Sequence, residues 1–398
     1  MSDQERSFKA ILKDQLSHNM KQYAMFIALL AVWILFTVLT GGTFLTSRNI
    51  TNLFLQASHI AILAVGMVLI IVAGHIDLSV GSLMGFIGAV AAVLHVNQGW
   101  PTAIVIPVAL LVGVVVGLWQ GYWVAYRGIP AFIVTLAGMT MFRGGIIAVT
   151  GGATIAPLAD GFRAIGQGYL PRILNPDART GFHEVSAVVA AVFIIAFIWR
   201  QIGNRKKRIR YGFEVLPARI EAAKLVLSGL LIAAFFGTLV LYRGIPWVVV
   251  IILGLTLLYS YLTEKTVFGR QVYAIGGNRE AARLSGINIR RRTLMIFVSM
   301  GVLSAVAGVV FTARLNAASA QAGTLVELDT IAATIIGGTS TLGGVGTVFG
   351  AIIGAVLMAS VNNGMSLMNL SSDVQMIVRG AILLLAVWFD IYSRRARQ

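Results

Sequence analysis

Apolar runs long enough to cross a bilayer recur along the whole chain, separated by short polar or basic blocks. A helix needs about 20 apolar residues to span the hydrocarbon. On that measure segments 22–40, 55–73, 80–96, 102–125, 131–150, 185–202, 222–241, 245–262, 294–314, 328–342, 348–363 and 374–389 read as membrane helices. The pattern predicts an all-α, polytopic transmembrane helix bundle over 22–398, behind a polar stretch at 1–21. Several segments are short or glycine-interrupted, which predicts broken or re-entrant spans near Asp77 and across 337–350. In the polar stretch, Phe8, Ile11, Leu12, Gln15 and Leu16 repeat at helical spacing beside Lys9 and Lys13. That spacing fits a short interfacial helix, and a frayed tail fits it as well.

Composition agrees with a bilayer as solvent. Of 398 residues, 58% are hydrophobic and 12% charged, more apolar surface than a soluble fold can hide. The net charge of +16 invites a nucleic-acid reading, but its distribution argues against one. With both termini cytoplasmic and all twelve segments crossing, 23 of the 31 Lys and Arg residues fall inside and five outside. Positive charge on that scale orients a membrane protein. Two blocks dominate, a basic cytoplasmic loop at 203–221 with the run Arg205, Lys206, Lys207 and Arg208, and a second loop at 263–293. The outer loop 151–184 is polar. Residues 2–21 show no cleavable signal pattern, and the first apolar run is long enough to remain as an anchor.

The absence of cysteine excludes disulfides, thiolate metal sites and a cysteine nucleophile. The five histidines show no metal-ligand spacing, so no metal or cofactor is expected. The glycine-rich stretch 337–350 lacks the Gly-Lys-Ser/Thr of a phosphate loop, and no catalytic triad with its orienting partners is evident. These absences point away from an enzyme.

The most informative local pattern lies at 268–288. Asn278 suits a helix N-cap, Glu280 the first turn, and Gly286 a left-handed helix end. Ala281 and Ala282 are small enough for another surface to approach closely. The pattern predicts a helix of about two turns, too short to stand alone and shaped to dock into a partner. A capped linker helix carries the same features. Asp77, between two apolar runs and followed by Ser79, lies either beside a translocation path or in a turn that starts the next helix. Arg143 sits inside an apolar span and needs a carboxylate partner or a route to the headgroups. Glu327 and Asp329 suit helix capping near Leu328. The amides of Asn362 and Asn363 fit either hydroxyl recognition or interhelical bonding.

The segment Glu280-Ala281-Ala282 followed by Gly286 resembles the coupling-loop motif of ABC importer permeases. The preceding stretch from Gly269 to Asn278 resembles the branch of that family that imports ribose, galactose, xylose and similar monosaccharides. Four further ordered stretches are similar to that branch: 76–82 with Asp77, 130–136, 327–346 with its glycine pairs, and Asn362-Asn363-Gly364. The family has about ten spans, and the pair near 185–241 resembles an insertion carried by its xylose permeases. The resemblance implies a homodimeric permease in the bacterial cytoplasmic (inner) membrane, with no catalysis of its own. It also implies a cytoplasmic ATPase docked at Asn278, Glu280, Ala281, Ala282 and Gly286, and a periplasmic sugar-binding protein on the outer face. A secondary transporter, a passive channel or an intramembrane enzyme would leave the docking motif without a use.

Overall fold

The computed structural model describes residues 20–174, 181–213, 215 and 217–395, with side chains from 25 to 392. The stretch read as an interfacial helix lies outside the described residues. The chain is almost entirely helical. In order, the helices are α1 (Met20–Leu39), α2 (Ser47–Val72), α3 (Val80–Ala92), α4 (Thr102–Ala125), α5 (Ala131–Thr150), α6 (Asp160–Gln167), α7 (Glu184–Arg210) and α8 (Ala218–Val240). They continue as α9 (Trp247–Lys265), α10 (Val267–Gly277), α11 (Arg279–Leu284), α12 (Ile289–Leu315), α13 (Val326–Ile336), α14 (Val348–Leu367) and α15 (Ser372–Arg395). Two isolated antiparallel bridges are the extended pairings found among the described residues.

By length and composition, ten helices among the described residues qualify as membrane spans, α3 doing so through a π turn that extends it to Asn97. The chain is a multi-pass membrane protein. Of α1, the described apolar part runs from Met25 to Leu39.

One segment departs from the expected span at 328–342. Helix α13 has 11 residues, about 16 Å at 1.5 Å per residue, roughly half the hydrocarbon thickness. The connection before it is unwound. It leaves α12 through left-handed Asn316, pairs Ala318 with Ile155, and enters α13 through Leu325 at φ +63°. Irregular backbone is tolerated at such depth only where protein covers it. Here α3 does so: a Cβ on Gly81 would lie 2.6 Å from the Gly323 carbonyl, and one on Gly85 2.5 Å from that of Ala322.

The chain divides into two units. The larger contains 22–44, 53–168 and 247–398. Its helices approach on small residues, because hydrocarbon supplies no hydrophobic drive and close backbone packing must replace it. One close crossing is α4 on α12, where a Cβ on Gly301 would meet the Gly113 carbonyl at 2.1 Å. Around it lie Ala109, Ala305, Val309 and Ala313, all buried. Gly301→Val must therefore push two backbones apart. We expect a loss of about 1–3 kcal/mol, read as a lower melting temperature in detergent. An unchanged melting temperature would mean that this crossing is loose.

The smaller unit is built on 169–246, with 45–52. It holds α7 and α8. His183 starts α7, its ring accepting from the Ser186 backbone N–H at 3.2 Å. The basic run expected in a loop at 203–221 is largely helical, because α7 continues to Arg210 and α8 begins at Ala218. Lys and Arg are good helix formers, and cations suit a helix C-terminus. The Arg205 guanidinium pairs with Glu221 across the turn.

Candidate functional site

Asn278 ends α10 and begins α11. Its Oδ1 accepts the Ala281 N–H at 2.9 Å. The helix has six residues, shorter than the two turns expected. Glu280 lies in its first turn and accepts from Arg283 Nε at 3.2 Å. The far end closes at Gly286, φ +78°, whose N–H donates to the Arg283 carbonyl at 3.0 Å while that of Ile287 donates to Ala282 at 3.1 Å. Asn288 then caps α12 through the Arg291 N–H. One side-chain cap and a left-handed glycine hold a helix too short for intrinsic stability. Ala282 faces inward, whereas Glu280, Ala281 and Leu284 are exposed, Leu284 to 78%.

Behind α11, helix α10 is seated on the rest of the larger unit. Tyr273 donates its hydroxyl to the Gly346 carbonyl at 2.7 Å. Burial, and then the charge of Glu264, push the Tyr273 phenol up to about 12, so it remains a donor. Gly276 has no room for a side chain, since a Cβ there would overlap the Val72 carbonyl. The Gly344 N–H donates to that same carbonyl at 2.9 Å. The exposed helix is thus joined through α10 to the end of α2 and to the loop between α13 and α14.

Helix α13 carries a buried polar cluster at its other end. Glu327 and Asp329 sit in its first turn, where the cap residue Leu325 makes no side-chain cap bond and its backbone N–H donates to the Glu327 carboxylate. Both carboxylates are also buried next to arginines from other helices. Arg143 on α5 lies 3.6 Å from Glu327 and donates to Thr324 at 3.0 Å. Arg379 on α15 lies 3.6 Å from Asp329 and donates to Asn362 Oδ1 at 2.9 Å. The Asn362 amide closes the triangle on Asp329 at 3.2 Å. Asn363 reaches instead to Gln56 on α2, at 3.3 Å. On α2 and α12, His59 and Arg314 both lie against the Phe311 ring.

Glu327 Oε2, Asp329 Oδ1, His59 Nδ1 and Arg314 Nε are buried without a hydrogen-bond partner. Orphaned polar atoms at such depth are costly, and hydroxyl-bearing solutes match them chemically. Gln56, His59 and Arg379 were missed as site residues in the sequence. Their signal was an isolated polar side chain within an apolar run.

Asp77 and Ser79 lie elsewhere, in the break between α2 and α3. Asp77 Oδ1 accepts the Ser79 N–H at 2.8 Å and its hydroxyl at 2.7 Å. Gln120 donates to Ser79 Oγ at 2.7 Å, and Thr135 receives the Leu78 N–H at 3.1 Å. Both Asp77 and Ser79 are fully buried. This geometry is that of a turn starting α3. Asp77→Asn keeps the accepting oxygen, so uptake should stay within about twofold, while Asp77→Leu loses both bonds at about 1 kcal/mol or more each. Sharp loss of transport by the asparagine variant at normal abundance would place the charge itself in the path.

Residues 49–387 match a family model described as the permease component of branched-chain amino acid transport systems. The xylose transport system permease protein XylH of Escherichia coli is 45% identical over 95% of this chain and 94% of its own length. That of Haemophilus influenzae is 43% identical over 95% and 98%. The ribose import permease protein RbsC of Haemophilus influenzae is 33% identical over 95% of each chain. No solved structure matches.

Proposed function

We propose that this chain, which belongs to the permease-component family of branched-chain-type transport systems, imports a monosaccharide, D-xylose before others, as the membrane subunit of an ATP-driven importer. It is a transport subunit, and ATP hydrolysis belongs to a separate protein. The family description speaks of amino acids, but the relatives matched over nearly their full length are named for xylose and ribose. Their greater identity favours xylose. Two copies of the chain form the pathway in the bacterial inner membrane, with both termini cytoplasmic.

The observation that carries this reading is the exposed helix Arg279–Leu284, capped at both ends and joined through α10 to the end of α2 and to the loop beside α13. A cytoplasmic ATPase gripping Glu280, Ala281 and Leu284 would move α10 against the Val72 carbonyl and Gly346. That motion reaches α13, the half-length helix whose first turn holds the ion pairs to Arg143 and Arg379. ATP binding then shifts the balance between inward-open and outward-open states, provided the ATPase binds the two unequally. A periplasmic binding protein delivers sugar to the opposite face. Asn362, with the unpartnered atoms of Glu327, Asp329 and His59, supplies donors and acceptors suited to sugar hydroxyls. Asp77 and Ser79 support the path indirectly, through the turn they form.

The test is uptake of labelled xylose into proteoliposomes containing this chain, a cognate ATPase and a xylose-binding protein. ATP-dependent accumulation of xylose, with ribose excluded, is expected. Accumulation of ribose in place of xylose would overturn the substrate and leave the importer class. Uptake without the ATPase would overturn the importer class.

A further inference from the structure

Helix α15 turns most of its surface outward. Ile377, Leu384, Leu385, Trp388 and Phe389 are all more than half exposed. Hydrocarbon offers such a helix no hydrophobic drive toward its neighbours, so packing and polar contacts must set its register. Val378 and Ile382 supply packing, against a cluster that includes Leu357 and Val361 of α14. Arg379 supplies one polar contact, to Asp329 and Asn362. Asp390, which is buried, supplies another: its Oδ2 accepts the Thr341 backbone N–H at 3.2 Å and the Thr341 hydroxyl at 3.1 Å. Arg379 and Asp390 are close to three helical turns apart in the chain. Both side chains therefore leave α15 on one face, about 16 Å apart along the axis. Helix α13, which packs against α15, has a matching length, with Asp329 near one end and the Thr341 loop beyond the other.

The loop that carries Thr341 is braced internally. The Ser340 N–H donates to the Val345 carbonyl at 2.8 Å, the Gly343 N–H to the Ser340 carbonyl at 3.0 Å, and the Leu342 N–H to the Ser340 hydroxyl at 3.1 Å. The same loop meets α10 through Gly346 and the end of α2 through Gly344. It thus receives α10 at one point and holds α15 at another. We propose that Asp390 is a positioning residue for transport, fastening α15 to this loop so that α13 and α15 move as one body and the Arg379–Asp329 pair stays closed through the cycle. Resting on the importer reading above, in which an ATPase displaces α10, its role is to transmit that displacement and not to bind sugar. Without the fastening the loop moves and α15 stays behind in the lipid. The buried pair is then pulled apart instead of carried, and hydrolysis proceeds without moving sugar.

The experiment measures xylose accumulated per ATP hydrolysed, in proteoliposomes holding the full chain, its ATPase and a xylose-binding protein. Asp390→Leu should lower that ratio about tenfold. Asp390→Asn keeps an accepting oxygen for Thr341 and should stay within about twofold of the parent. The chain has no cysteine, so Thr341→Cys with Asp390→Cys introduces its sole pair of thiols. Reduced, that double variant should be as uncoupled as Asp390→Leu. Joined by a short bifunctional thiol reagent, with the link confirmed by mass, it should regain the parent ratio. A merely structural role would lower uptake and hydrolysis together in Asp390→Leu and leave the ratio unchanged, which would overturn the positioning role. A thiol pair that does not cross-link, or that stays uncoupled once linked, would overturn it as well. Absence of ATP-driven uptake by the parent chain would overturn the importer reading and the role of Asp390 with it, so the two failures are told apart by the parent.

Discussion

Gly286→Pro should abolish ATP-driven uptake while the chain still reaches the membrane in normal amount. Residue 286 stands at φ +78° and donates its N–H to the Arg283 carbonyl. Proline is held near −65° and has no N–H, so the end of α11 cannot form. The cost in such a position is about 3 kcal/mol, more than a hundredfold in the population of the closed helix end. Nothing lies within 4 Å of a Cβ built there, so sterics do not confuse the result. Gly286→Asn is the control, because asparagine visits the left-handed region with little penalty. It should keep most uptake. A parallel loss is expected for Glu280→Ala, which removes an exposed carboxylate without touching either cap. Its exposed pair with Arg283 contributes little stability, so a loss of uptake would report partner contact. Full activity of both Gly286→Pro and Glu280→Ala would remove the ATPase from this loop.

Asp329→Leu should be the most destabilising single change in the buried cluster. Asp329 is 3% exposed and has Arg379 and Asn362 as partners. Removing one member of a buried pair leaves the other charge uncompensated, at roughly 3–5 kcal/mol. The expected readout is a fall in melting temperature and in the folded yield after detergent extraction. Asp329→Asn with Arg379→Gln removes both charges and should regain most of the stability. Sugar uptake by that double variant then separates the two roles of the cluster. Stability regained without transport would assign Asp329, Asn362 and Arg379 to the path, whereas recovery of both would make them a structural clasp. If Asp329→Leu melts like the parent, the pair is open to water and the buried-cluster reading falls.

The amino-acid sequence by itself determined the solvent, the class of fold and one local motif. Hydropathy is a property of each run of residues, so helices coincide with the expected spans wherever the run is long and uninterrupted. The caps of α11 are equally local: Asn278 reaches three residues forward and Gly286 three back, and the residue types that can do this are few. What only the tertiary structure decided lies across the chain. Leu328 to Leu342 is apolar enough to be read as a span, yet its helix stops at Ile336, because the backbone from Gly337 to Thr347 bonds instead to the Val72 carbonyl and the Tyr273 hydroxyl. Hydropathy cannot see that exchange, since it registers the apolar run and not the partners its backbone finds. Glu327 and Asp329 carry a capping pattern in sequence, and Arg143 and Arg379 also stand beside them and take them as ion partners. Such pairs depend on the rotation and depth of helices far apart in the chain, and no local period encodes either. Arg379 read as an isolated charge in an apolar run. Only the packing of α15 beside α13 and α14 made it the hinge of a buried triangle.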